Sequence, residues 1–246
     1  MVRHTGFIAV VGVAVALGGA GFAFAAGAAD TQDAFVDGTT SPTKLDKKKF
    51  KPVTLFSGVR TSIPGGVNGT QSNPVTEYLS YPKNGKFDLD AGSTCNTLPP
   101  SGSTTQQARD ACPGDSYIAS GVAEVQGPGI APIQDIVVSV FRGPERNGIQ
   151  LHTASATLGP AAPTVLGEIV KSNAGSQFGD ALSVPHAPET GGLMITKFNA
   201  TIPKSTGAVL GRCKTKTMTF QRKVTYGDGS TEIAETTQTC KQKKPK

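Results

Sequence analysis

The stretch TMTFQRKVTYGDGSTEIAE, residues 217–235, decides the fold class. Met218, Phe220, Val224 and Tyr226 fall on alternate positions, with Thr217, Thr219, Gln221, Lys223 and Thr225 between them. Such alternation puts one set of side chains on each face of a pleated strand, so the strand is half buried. Asp228-Gly229 follows, a dipeptide that tolerates the positive φ angles of a two-residue hairpin turn. A turn there sets Gly227 opposite Ser230, Val224 opposite Ile233 and Arg222 opposite Glu235. That register joins apolar to apolar and opposite charges together, and it places Val224, Ile233 and Phe220 in the core.

Upstream, residues 52–61, 75–81, 86–89, 116–126, 134–142, 148–156, 164–170, 177–184 and 193–202 read as short strands. They are rich in β-branched and aromatic residues and are bounded by Gly and Pro turns. Pro160, Pro163, Pro185, Pro188 and Pro203 fall at the edges of these runs, where a missing N–H costs least. No long stretch carries a helical period, and only residues 104–111 suggest a short helix. The pattern predicts an all-β fold: an antiparallel β-sandwich or open barrel of about ten strands, ending in a long β-hairpin, with a disulfide-closed loop carrying the short helix.

The chain begins with a signal-like segment, residues 1–25. Arg3 and His4 precede an apolar run over 7–17, and Ala23-Phe24-Ala25 supplies a small-residue cleavage site, with Ala28 as the other candidate. The run is too short and glycine-diluted for a membrane anchor. Residues 26–49 read as a flexible polar leader. Residues 50–241 form a single β-sandwich domain and 242–246 a basic tail. The expected location is secreted or extracellular, with association to the cell envelope.

Four cysteines in an exported chain point to two disulfides, with three connectivities open. Pairing of neighbours is favoured, Cys95 with Cys112 around the short helix and Cys213 with Cys240 across the final hairpin. With the expected register Cys240 lies opposite Thr217, so the chain before Thr217 must bend back to bring Cys213 into range. A zinc site is disfavoured, because no C-x₂-C knuckle is present.

Lys and Arg total 24 against 18 Asp and Glu, a net charge of +6. The surplus is dense only at Lys47, Lys48, Lys49 and Lys51 and in the tail, Lys241, Lys243, Lys244 and Lys246. These read first as solvated ends; the partner they would serve is an acidic cell-wall polymer or a membrane surface. Nucleic acid is not expected, since no basic patch is interleaved with aromatics and Trp is absent. A monomer is expected.

Catalytic residue types are sparse. His152 sits in an alternating strand and His186 between prolines, and no G-x-S-x-G elbow accompanies either. Asp88 and Asp90 would share a strand face, yet a glycosidase pair also needs an aromatic-lined groove. Asp228 to Glu232 resembles a calcium loop but is explained as a turn. Asn68 and Asn199 head formal glycosylation sequons. No catalytic, cofactor-binding or metal-binding residue is therefore assigned.

Three blocks carry a resemblance: Lys48-Lys49-Phe50-Lys51-Pro52-Val53; Tyr81-Pro82-Lys83 leading to Cys95, then Ala111-Cys112-Pro113 and Ser120-Gly121-Val122-Ala123; and Val224-Thr225-Tyr226-Gly227-Asp228-Gly229-Ser230 running to Gln238-Thr239-Cys240-Lys241. In their order they resemble a group of secreted β-rich proteins of soil-dwelling high-GC Gram-positive bacteria. The resemblance implies export, paired cysteines and one β-rich unit, and it implies no activity. The function expected is a non-catalytic exported β-domain associated with the envelope or extracellular polymers. The alternatives are a secreted hydrolase or carbohydrate-active enzyme with an unrecognised site, and a carrier with an apolar cavity.

Overall fold

The structure, a computed structural model, describes residues 33–62, 74–185 and 193–243. The expected signal segment, residues 63–73 with Asn68, His186, Pro188, Lys244 and Lys246 lie outside the described residues.

The strands in chain order are β1 (Asp33–Ser41), β2 (Lys44–Leu45), β3 (Lys51–Pro52), β4 (Thr54–Ser62), β5 (Pro74–Pro82), β6 (Gly85–Phe87), β7 (Tyr117–Gln126) and β8 (Ile133–Arg142). They continue with β9 (Gly148–Ala154), β10 (Thr164–Lys171), β11 (Phe178–Pro185), β12 (Met194–Ile202), β13 (Val209–Gly211), β14 (Thr217–Tyr226), β15 (Thr231–Thr239) and β16 (Lys241–Gln242). Among the described residues one α-helix, α1 (Thr105–Ala111), interrupts them. A capping box opens it: the Thr104 side chain accepts from Gln107 N–H, and the Gln107 side chain accepts from Thr104 N–H.

Eleven strands make one antiparallel sheet in the order β1-β4-β12-β7-β8-β9-β10-β11-β5-β14-β15. The sheet curls until β1 and β15 come side by side, a barrel nearly closed. Two small sheets cap one end, β3-β13-β6 and the parallel pair β16-β2. Inward side chains such as Leu55, Val59, Leu79, Tyr81, Val138, Leu151, Phe220 and Val224 fill the interior. A smaller cluster of Cys95, Ala108, Cys112 and Phe141 lies under α1. Both expected disulfides are present, with Cα separations of 4.9 Å for Cys95–Cys112 and 5.8 Å for Cys213–Cys240.

The hairpin register differs from expectation by one residue. Thr225 pairs with Thr231, Val224 with Glu232, Lys223 with Ile233 and Gln221 with Glu235. The loop is Gly227-Asp228-Gly229, closed by Tyr226 N–H to Ser230 O at 3.0 Å and Gly229 N–H to Tyr226 O at 2.9 Å. Asp228 Oδ1 accepts from both the N–H and the hydroxyl of Ser230, and Gly229 takes φ +84°. This is the three-residue loop ending in a left-handed glycine, not the two-residue turn. A one-residue slip turns every side chain of the partner strand over. Ile233 is accordingly 61% exposed instead of core, and Arg222 meets Ala234 instead of Glu235. The bend before Thr217 is present: Cys240 N–H bonds to Lys216 O and Cys213 N–H to Asp46 O.

The flexible leader is a second correction. Residues 33–41 pair along their whole length with β4 as β1, and β2 follows. Their inward face, Ala34, Val36, Gly38 and Thr40, is too weakly apolar to announce a strand. Gly38 is required there, because a Cβ would sit 2.3 Å from Cγ of Phe220. The tail is corrected likewise at its start: Lys241–Gln242 forms β16, and Lys243 N–H bonds to Leu45 O.

Candidate functional site

Strand pairing brings together lysines that are far apart in sequence. In the pair β16-β2, Lys241 stands beside Lys44, and Lys241 N–H bonds to Thr43 O. Asp46 Oδ1 accepts from the N–H groups of Lys48 and Lys49, which folds the run 47–49 into a turn with its side chains exposed. Those two bonds hold the Asp46 carboxyl below its ordinary range. The Cys213–Cys240 bridge and the bond from Gln242 Nε2 to Lys214 O tie Lys214 and Lys216 to the same end. Lys51 enters through β3, opposite Gly211. One pole of the barrel therefore carries Lys47, Lys48, Lys49 and Lys51 together with Lys241 and Lys243 and with Lys214 and Lys216, which sequence spacing did not connect to them.

The barrel interior holds a buried ion pair. Arg222, 1% exposed, donates from Nε to Glu77 Oε1 at 3.0 Å and from Nη2 to Oε2 at 3.3 Å. Its Nη1 reaches Arg60 O at 2.8 Å and Thr61 Oγ1 at 3.1 Å. This one side chain links β14 to β5 on one side and to β4 on the other. At the end remote from the lysines, Arg60, Thr61, Glu124, Gln126, Thr196 and Lys197 line a polar cleft of about 340 Å³. Glu124 is already engaged there by Thr196 Oγ1 at 2.9 Å and Gln134 Nε2 at 2.7 Å. Between Tyr81, Phe87, Met218 and Phe220 the interior leaves only about 10 Å³, room for no more than about one water.

His152 lies on β9 with 0% exposure, beneath the loop closed by Cys95–Cys112. Its Nε2 is 2.9 Å from Ser103 Oγ, and Ser103 donates its own proton to Pro100 O at 2.7 Å. The ring N–H is then on Nε2, pointing at Ser103, and Nδ1 faces no hydrogen-bonding partner. Burial pushes the imidazole below its ordinary pKa. The Ser103 proton is thus committed to a carbonyl, and among the described residues no acid orients His152. Asp88 and Asp90 do not share a strand face: β6 ends at Phe87, and Asp90 lies in a 3₁₀ turn, paired with Arg146 at 3.1 Å. Asp228 is the turn residue described above, and Asn199 stands on β12.

No known family model matches the chain, and no curated protein matches it. Among solved structures, it is similar to a cohesin module of a family 33 glycoside hydrolase from Clostridium perfringens. The alignment covers 87% of this chain and 100% of that one, at 9% identity and a TM-score of 0.27. An overlap that loose carries no argument about this chain.

Proposed function

We propose that the protein is an exported, non-catalytic β-domain that holds acidic polymers of the cell envelope or its surroundings at its lysine-rich pole. The observation that carries the reading is the gathering of Lys44, Lys47, Lys48, Lys49 and Lys51 with Lys214, Lys216, Lys241 and Lys243 at one end. Like charges side by side, as at Lys44 and Lys241, destabilise a ladder. A polyanion laid across them relieves that repulsion and releases its own counterions. Two disulfides fit an oxidising compartment, in keeping with the signal-like residues 1–25.

The test is retention of the mature protein on purified cell-wall material and on immobilised heparin, eluted with salt. Retention should fall steeply with ionic strength and fall again when Lys47, Lys48, Lys49 and Lys51 are all changed to Gln. Retention insensitive to salt, or equal in the quadruple variant, would remove the pole from the function.

A further inference from the structure

The outer face of the three-stranded sheet β3-β13-β6 carries a feature more specific than scattered lysines. Leu210 pairs with both Pro52 and Lys86, and Arg212 N–H bonds to Asn84 O. The alternation of strand side chains puts Phe50, Arg212 and Lys86 on one face. The Arg212 guanidinium carbon lies 4.3 Å from the centroid of the Phe50 ring, and Lys86 Nζ lies 5.5 Å from the same centroid. Two cations of different shape are thus held on one half-buried ring.

Among the described residues, neither cation is spent on a carboxylate. No described acid forms an ion pair with Arg212 or Lys86, and Arg212 Nε is buried without a hydrogen-bond partner. Asp46 is committed to the N–H groups of Lys48 and Lys49, and Asp180 to Phe87 N–H and the Lys171 ammonium. Stacking fixes the plane of a guanidinium, so less side-chain freedom is lost when its donors take up a ligand.

We propose that Arg212 and Lys86, platformed on Phe50, form a subsite for a tetrahedral oxyanion, a phosphate monoester or sulfate ester carried by the bound polymer or by a lipid headgroup. The guanidinium fork spans two oxygens and the ammonium takes a third. A planar carboxylate fills the fork and leaves the ammonium with a shared oxygen, so it binds less well. The proposal deepens the polyanion reading and rests on it for its natural ligand.

Titration of the mature, disulfide-intact protein with inorganic phosphate, sulfate and acetate at constant ionic strength tests it, read by NMR at the Arg212 Nε–H and the Phe50 ring. Phosphate and sulfate should give saturable shifts, with acetate weaker by about tenfold, the scale of one lost charge-assisted hydrogen bond. Lys86→Gln, at an exposed position, should weaken phosphate by about the same factor. Arg212→Lys should weaken it too, since the charge stays and the fork goes, while Lys204→Gln, an exposed lysine outside the pole, should change little. Release of the protein by phosphate from a phosphorylated or sulfated polysaccharide would assign the polymer as the source, and release from phosphatidic acid vesicles the lipid. Acetate binding as well as phosphate, or Lys86→Gln and Arg212→Lys as harmless as Lys204→Gln, overturns the subsite. If heparin retention persists while the phosphate titration is flat, the subsite falls and the pole stands; loss of both ends the wider reading.

Discussion

The side-chain amide of Gln238 takes both backbone groups of Thr40: Thr40 N–H donates to Oε1 at 2.7 Å, and Nε2 donates to Thr40 O at 2.9 Å. Gln238 is on β15 and Thr40 on β1, the two ends of the large sheet. A glutamine here imitates a peptide group and satisfies one residue of an edge that no strand pairs. Thr40 Oγ1 adds contacts to Gln238 Oε1 at 3.1 Å and to Met218 Sδ at 3.3 Å. Gln238→Leu should cost about 1–3 kcal/mol, because it leaves the Thr40 groups unpaired at the seam. Thr237→Ala, on the outer face, should cost less than about 0.5 kcal/mol. Equal losses in urea unfolding would mean that the seam does not depend on this contact.

The observed hairpin register makes a contrast between Ile233 and Phe220 that the two-residue turn would abolish. Ile233→Ser should change stability by no more than about 0.5 kcal/mol, as expected of an exposed side chain. Phe220→Ala should cost about 3–5 kcal/mol, since Phe220 is 2% exposed and lies against Gly38 and Tyr81. Thr225→Ala should cost less than about 1 kcal/mol. A loss at Ile233 comparable to that at Phe220 would restore the alternative register.

Breaking the Arg222–Glu77 pair should be worse than removing it. Glu77→Gln leaves a guanidinium buried with too little counter-charge and should cost about 3–5 kcal/mol. The double change Arg222→Met with Glu77→Leu should cost less than either single change, because it removes both desolvated charges at once. Thermal and urea unfolding of the three variants decide the order, and a double variant less stable than both singles refutes it.

His152 should impose a pH dependence. Burial lowers its folded-state pKa, so below about pH 6.5 the unfolded chain binds a proton that the folded chain does not. Its contribution is complete above that pH and is lost as pH falls toward the depressed folded value. His152→Gln should remove that part of the slope while leaving the acid loss below about pH 4, where Asp115 and Asp135 are held low by hydrogen bonds to Ser93, Ser155 and Thr157. Parallel stability curves for wild type and variant between these limits would contradict the assignment.

Both disulfides should leave no free thiol. Alkylation without reductant followed by peptide mass analysis should find Cys95 linked to Cys112, Cys213 linked to Cys240, and no label at any of the four. A peptide joining Cys95 to Cys213 or Cys240 would overturn the pairing.

What the sequence by itself determined is local. Alternation in β14, and β-branched and aromatic runs between Gly and Pro turns in β4, β5 and β7 to β12, marked those strands to within a few residues of their ends, because burying one face of a pleat favours such residues and, where the other face is wet, demands a period of two. Residues 104–111 read as a short helix, and four cysteines behind a signal-like segment marked oxidised pairs. Only the tertiary structure decided the rest, because each remaining feature depends on a partner distant in the chain. β1 is a strand because β4 supplies its ladder and Phe220 needs the space that Gly38 leaves. Arg222, a charge in an apolar series, is inward because Glu77 and the carbonyl of Arg60 meet it there. Ile233 is outward because three loop residues, not two, satisfy the Asp228 and Ser230 hydrogen bonds, and one residue of register reverses a whole face. The lysines form a pole because a disulfide and two short sheets fold separate segments onto one end of the barrel, a juxtaposition that no spacing along the chain encodes.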